Sequence, residues 1–210
     1  MQYKDFQAKN IDKIDREFFL KSTEQVARDL LGMIFVKKEN DGLLAGRIVE
    51  TEAYLHEKDE ASHSYRGRTK RNAAMFGEGG ILYVYKIYGM YHCLNFVTDE
   101  HGIGAAVLIR AMEPMEGIKT MKTRRGTDSI GNLLSGPGKI CQAFNFDLSW
   151  NNRKLFSDPN VSLNRDLAQI GNIQNTERIG ISRSKELKLR FIIENSPFLS
   201  RKKIRKNQKK

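Results

Sequence analysis

The sequence predicts one α+β domain built around a mostly antiparallel sheet. Three observations lead there. The chain has 210 residues, enough to bury one sound core or two small ones, and no internal repeat or Pro/Gly/Ser-rich linker divides it. Strand-patterned and helix-patterned stretches neither alternate strictly nor separate into blocks, as the α/β and segregated classes require. Adjacent strand runs are joined by short turn signals, the mark of antiparallel hairpins.

Taken in order, Ser22-Thr23-Glu24-Gln25 is a capping box, a hydroxyl with Gln three residues later. The helix it opens runs to about Leu31, where Gly32 stops it, and Val26, Ala27, Leu30 and Leu31 form its apolar stripe. Residues 33–37 read as a strand, with residues 43–55 as its hairpin partner across Asn40-Asp41-Gly42. Residues 56–72 form a polar loop in which Arg66, Arg68, Lys70 and Arg71 cluster. Residues 81–87 and 91–97 are two strands joined by Tyr88-Gly89-Met90, and 105–110 is another. Pro114 opens a helix reaching Arg124, since proline suits a first helical turn. Gly136-Pro137-Gly138-Lys139 leads into a short helix with Ile140, Cys141, Ala143 and Phe144 inward. Residues 145–176 carry no clear period. A last strand covers 187–194, and Pro197 ends it.

Charge and composition narrow the function classes. Of the net charge of +11, seven units sit in the last ten residues and +4 remains on the body. Residues 201–210 therefore read as a basic, disordered tail that adheres to polyanions without sequence preference. No apolar run approaches the roughly 20 residues that cross a bilayer, and residues 1–6 are too polar for a signal peptide. Cys93 and Cys141 lack Cys-x-x-Cys spacing and read as buried thiols of a reducing cytoplasm. His56, His63, His92 and His101 are scattered, which argues against a metal centre.

The chemistry concentrates in residues 47–55, Arg-Ile-Val-Glu-Thr-Glu-Ala-Tyr-Leu. A continuous strand there places Glu50, Glu52 and Tyr54 on one face and Val49, Ala53 and Leu55 on the other. Carboxylates seldom face a core without a partner or a task, so Glu52 is the first candidate for chemistry; a solvated face is the alternative. Tyr83, Tyr85, Tyr88 and Tyr91 fall within nine positions. Packing accounts for Tyr83 and Tyr91, whereas Tyr88, at a turn beside a basic loop, suits stacking on a base or wedging into a duplex. Arg110 follows an apolar run and calls for an anion, either Glu52 or a phosphate. His63 reads either as structural or as part of the site. The Gly136–Gly138 turn could offer N–H groups to a phosphate at a helix start, or could be an ordinary turn.

Together these stretches resemble the alkyladenine (3-methyladenine) DNA glycosylase family, known from mammals and found also in bacteria. The matching motifs are the 47–54 run, Asp59-Glu-Ala-Ser-His-Ser64, Arg71-Asn72, Met75-Phe76, Leu82-Tyr-Val-Tyr85, Ile87-Tyr-Gly-Met-Tyr91, Val107-Leu-Ile-Arg-Ala-Met-Glu-Pro114, Ser135-Gly-Pro137 with Lys139, and Cys141-Gln-Ala143. They keep the same order over residues 15–200, which the resemblance makes one glycosylase domain, 1–200, with a curved sheet, surrounding helices and a protruding β-hairpin. The loop after Arg68 is one residue shorter than the mammalian pattern and lacks its proline, and 145–176 match poorly.

The resemblance implies a monofunctional enzyme of base excision repair that flips alkylated purines (3-methyladenine, 7-methylguanine), with deaminated and etheno purines as further substrates, and hydrolyses the N-glycosidic bond. It assigns Glu52 as the base that activates water and Arg110 as its partner. Tyr54, His63 and Tyr85 become the walls around the base, with Ala61 and Asn95 also in its pocket, and Asn95 crowds the amine of guanine. Tyr88 fills the gap in the DNA, and Met90, Arg68, Arg71 and Lys139 become DNA contacts. No cofactor or metal is implied. The expected partner is double-stranded DNA holding a damaged purine, met by a cytoplasmic, nucleoid-associated monomer with no membrane. No lyase step is expected, because Lys86, the nearest lysine along the chain, points away from Tyr85. Two other classes compete: a non-catalytic nucleic-acid-binding protein, and a helix-hairpin-helix glycosylase suggested by Gly136-Pro137-Gly138-Lys139.

Overall fold

The structure is a computed structural model and describes residues 14–40, 42–166 and 170–200. The 1–6 segment, Asp41 of the first turn and the 201–210 tail lie outside them. Eight strands and three α-helices are described: β1 Ile34–Glu39, β2 Gly42–Tyr54, β3 Leu82–Ile87, β4 Tyr91–Val97, β5 Ala106–Glu116, β6 Val161–Asn164, β7 Ile173–Thr176, β8 Arg190–Ile193, α1 Thr23–Asp29, α2 Ile118–Arg125 and α3 Pro137–Phe144. Every ladder is antiparallel, and the strands run in the order β3-β4-β5-β2-β1-β6. β8 joins β2 beyond β1 and also pairs with β7. The α+β antiparallel prediction holds, and the sheet curls into a half-barrel.

The long strand β2 organises the rest. Its first half pairs with β1 and its second half with β8, while β5 runs along its other edge. Alternation sorts the side chains. Ile48, Ala53, Val84, Leu94, Phe96, Val107 and Ile109 face the main core, where α1 and α3 add Val26, Ala27, Ile140 and Phe144. The opposite face carries Tyr83, Tyr85, Asn95, Arg110, Glu50 and Glu52. Cys93 and Cys141 are both buried.

Several sequence expectations need correction. Pro114 does not open a helix; it pairs with Gly46 inside β5, beside a register shift, and proline is tolerated at such bulges. The helix starts four residues later, after Gly117 in the left-handed region at φ 74°, where a side chain would meet Leu44. Ser22 accepts from the Gln25 N–H, but the Gln25 amide bonds Asp29 rather than closing the box. The last strand begins at Arg190, three residues late, because a 3-10 turn occupies Lys185–Leu187. The aperiodic 145–176 stretch supplies β6 and β7, four residues each, too short to display a period.

Candidate active site

The site lies on the polar face of the sheet. Register places Tyr83 opposite Asn95, Asn95 opposite Leu108, Leu108 opposite Glu52, and Glu52 opposite Arg190. Directly opposed residues share a face, so this row across five strands joins the aromatic residues to the acid. Arg110 joins it through an irregularity. Thr51 pairs with Ile109 and Glu50 with Ala111, so Arg110 is the extra residue of a bulge. Bulges re-aim side chains; here the guanidinium turns between two carboxylates, its Nη1 3.3 Å from Glu52 and its Nε 3.2 Å from Glu50.

Above the row opens a cavity of about 600 Å³, within the range of small-ligand sites. Tyr54, Ala61, His63, Tyr85 and Asn95 border it, as do Tyr88, Arg110 and Lys139. Those eight predicted residues, from four strands, two loops and the start of α3, are thus brought together. Glu52 does not border the cavity. It lies one layer beneath, with no exposed surface, bonded to three residues that do. Its Oε2 accepts from the Tyr54 hydroxyl at 3.0 Å and from Arg110, and its Oε1 accepts from the Ile179 N–H at 2.7 Å. Burial pushes the carboxyl above its ordinary pKa; Arg110, the Ile179 N–H and Tyr54 pull it back, and Glu50 adds to the rise.

The walls are tightly held. The His63 and Tyr85 rings meet edge to face at 4.6 Å and form one side, with His63 Nδ1 2.9 Å from the Tyr83 hydroxyl. Partial removal from water at the cavity wall, then the nearby Arg71, lowers the His63 pKa. Tyr54 is backed by Arg178, whose guanidinium lies 4.6 Å from the ring centre and does not border the cavity. Arg178 in turn forks onto Asp59 with two 2.6 Å bonds, both side chains buried. Asp59 also accepts from the Leu55 and Ala61 N–H groups, which folds the loop carrying Ala61 and His63 against Tyr54. The Asn95 amide donates to the Tyr83 carbonyl at 3.0 Å, which fixes its orientation.

The β3–β4 hairpin stands at the rim. Tyr88 is 84% exposed and Met90 67%. Tyr88 also holds φ at 50°, the left-handed region in which a non-glycine residue is strained. Tyr91, which packing was expected to explain, is 47% exposed and lines the cavity mouth instead. Met90, Arg68 and Arg71 do not border the cavity; all three are exposed, and Arg71 donates to the Lys86 carbonyl on the hairpin. Lys139, not Lys86, is the lysine at the cavity, and its amine is engaged by Ser135 at 3.0 Å and by Asn132. The residues that sequence reasoning missed are Asp59, Arg178, Ile179, Glu50, Arg190 and Ser200. Asp59 and Glu50 stood within recognisable motifs. Ile179 acts through its backbone N–H, which leaves no trace in residue type. Among the described residues no three His, Cys, Asp or Glu side chains converge as a metal site, and no helix is long and apolar enough to cross a membrane.

Comparison with known proteins shows the family. A methylpurine-DNA glycosylase family model matches residues 17–197. A protein of Chlorobium phaeobacteroides (strain BS1) named "Putative 3-methyladenine DNA glycosylase" is 46% identical over 197 residues, 93% of this chain and 99% of its own. Proteins of the same name from Methanoculleus marisnigri and Francisella tularensis (strain SCHU S4) are each 46% identical, over 88% and 86% of this chain and 97% and 94% of theirs. The chain therefore belongs to the methylpurine-DNA glycosylase family of hydrolytic N-glycosylases.

Proposed function

We propose that this protein excises alkylated purines, 3-methyladenine and 7-methylguanine foremost, from double-stranded DNA and leaves an abasic site. The observation that carries the reading is the row of register partners that ties Glu52 to an aromatic-walled cavity beside an exposed tyrosine tip. Tyr88, with Met90 beside it, enters the duplex as the damaged nucleotide swings out, and Arg68, Arg71 and Lys139 hold phosphates. A single copy of the chain does this. Damaged pairs open at lower cost than sound ones, which biases the swing toward lesions.

The extruded base slides between Tyr54 and the wall made by His63 and Tyr85, with Ala61 at its edge. Alkylation at N3 or N7 makes the purine cationic. Such a ring gains about 0.5–2 kcal/mol on an aromatic face, and the lowered pKa of His63 favours the uncharged imidazole beside it. Asn95, held by Tyr83, crowds the exocyclic amine of guanine; 7-methylguanine meets the same crowding but is cationic and leaves more readily, so the discrimination falls on undamaged guanine.

Departure of the base leaves positive charge on the sugar, as in glycoside hydrolysis. The ionised Glu52 stabilises that charge and takes a proton from the water that attacks C1′. A carboxylate offers about four lone-pair directions. Ile179, Arg110 and Tyr54 occupy three, which leaves one for the water; because Glu52 has no exposed surface, the water reaches it through a local movement of the cavity floor. Its raised pKa strengthens Glu52 as a base.

The test is release from a panel of duplexes, each holding one defined damaged base. Excision of 3-methyladenine and 7-methylguanine is expected, with Glu52→Gln losing about 10²–10⁴-fold in single-turnover rate while still binding the duplex. Binding without release from any lesion would instead mark a non-catalytic DNA-binding protein, and undiminished release by Glu52→Gln would remove Glu52 from the chemistry.

A further inference from the structure

Glu50 is fully buried two residues before the proposed base, and the mechanism above does not use it. Four groups converge on it. Its Oε1 accepts from Arg190 Nε at 2.7 Å and from the Ser200 hydroxyl at 2.8 Å, and its Oε2 accepts from the Ser200 N–H at 2.7 Å. Arg110 Nε lies 3.2 Å from Oε1. The Ser200 hydroxyl has a defined direction. Having given its proton to Glu50, it accepts from Arg110 Nε at 3.1 Å. A residue 90 positions along the chain from Arg110 thereby ties the arginine to the acid that is not the base.

We propose that Glu50 and Ser200 are positioning residues that hold the Nε edge of Arg110, so that the guanidinium meets Glu52 with one prong only. The inference rests on Glu52 being the base. An unrestrained guanidinium beside a carboxylate prefers two parallel hydrogen bonds. That arrangement would take the last free lone pair of Glu52 and make it a poorer base. The geometry is the opposite: the contact with Glu52 is single and, at 3.3 Å, long, while the other edge of the fork is bound on the Glu50 side. Arg190 keeps Glu50 in place and is itself held by Thr176. The last described residues of the chain thus complete the site beside Glu50.

The groups facing Glu52 are Arg110 from β5, Tyr54 and Glu50 from its own strand, Cys93 from β4, Arg190 in register from β8, and Arg178 with the Ile179 N–H from the segment after β7. Among these, Arg110 is the one that Ser200 holds. Weakening the pull on the Glu50 side gives Glu52 a larger share of the cation.

The experiment is the pH dependence of single-turnover release of 3-methyladenine by wild type, Ser200→Ala, Ser200→Thr, Glu52→Gln, Arg110→Ala and the Arg110→Ala/Ser200→Ala double variant. Ser200→Ala keeps the backbone N–H to Glu50 and loses only the hydroxyl. Its plateau rate should fall about 3- to 10-fold, the scale of one net hydrogen bond. Its acid limb should move to lower pH, because a carboxylate drawn closer to a cation stays ionised further down. Ser200→Thr should restore both, and with Arg110 already Ala the second change should add nothing. Should Ser200→Ala fail to fold, Ser200→Cys, with a weaker hydrogen-bonding group, carries the same test at smaller size. An unmoved acid limb, a shift to higher pH, or an equal loss without Arg110 overturns the proposal. Glu52→Gln separates the two claims: its full activity would sink Glu52 as the base, whereas an inactive Glu52→Gln beside an unaltered Ser200→Ala would sink only the clamp.

Discussion

Replacing Asp59 by Ala should destabilise the protein by about 3–5 kcal/mol, the cost of stranding one partner of a buried ion pair. The structure places this pair at the severe end. Asp59 has no exposed side-chain surface and Arg178 has 1%, and the two meet through two 2.6 Å bonds. The substitution also leaves the Leu55 and Ala61 N–H groups without their acceptor. Arg178 keeps the Ala53 carbonyl at 2.8 Å, which limits the loss. For a domain of this size each kcal/mol lowers Tm by about 2–4 °C, so a fall of roughly 6–20 °C is expected. Urea denaturation at equilibrium measures the free energy directly. Because Arg178 backs Tyr54, and Asp59 anchors the loop carrying His63, affinity for a damaged duplex should fall with stability. Removing both charges, as Asp59→Ala with Arg178→Met, should cost less than the two single changes summed. A single-variant loss below about 1 kcal/mol, or strict additivity of the pair, would refute the view that this buried bridge holds the cavity wall.

Four further outcomes follow from the same geometry. Burial raises the pKa of Glu52 in the folded state, so base release should fall with acid at a pH above the ordinary carboxylate range, seen in the kcat profile; a limb at the unperturbed value would count against burial. By linkage, that raised pKa is a stabilisation present below the unfolded value and lost as pH rises through the folded one. The stability advantage of Glu52→Gln over wild type should therefore grow between acid and neutral pH in chemical denaturation. Tyr88→Gly should leave the fold intact and even gain stability, by up to about 1–2 kcal/mol from relieved left-handed strain, while weakening binding to damaged DNA by the ~1–3 kcal/mol of one lost stacking contact. Arg71→Ala should weaken binding to every duplex alike and reduce the salt slope by about 1; a lesion-dependent loss measured by anisotropy would instead place Arg71 in base recognition.

Much of the site was legible because it occupies strands with clear alternation. The 47–55 run announced which acids share a face with Tyr54, and Glu50 and Glu52 do turn to the same side. The Tyr88-Gly89-Met90 turn was equally plain, since a glycine between two strand-patterned runs marks a hairpin tip. Pro114 misled because a first helical turn and a bulge both suit a residue without an N–H, and local sequence does not distinguish them. Strands β6 and β7 escaped because a four-residue segment shows two alternations at most, and its pairing partner supplies the rest of the signal. Tyr91 was assigned to packing on strand propensity alone, which says nothing of whether its face is covered.

The order of motifs along the chain was sufficient to set the α+β class, the hairpin, the arginine and aromatic residues that line the cavity, and the acid that lies beneath them. Those depend on side-chain type and on periods of two, which are local properties. Tertiary structure alone decided how Glu52 is held. Its partners Ile179 and Arg110 lie 127 and 58 positions away, and the clamp behind it comes from Arg190 and Ser200. A backbone N–H that caps a carboxylate, a bulge that turns an arginine, and a bridge between Asp59 and Arg178 are choices of position in space. They are fixed only when strands distant in the chain come into register and the desolvation of each buried charge has to be offset by a specific neighbour.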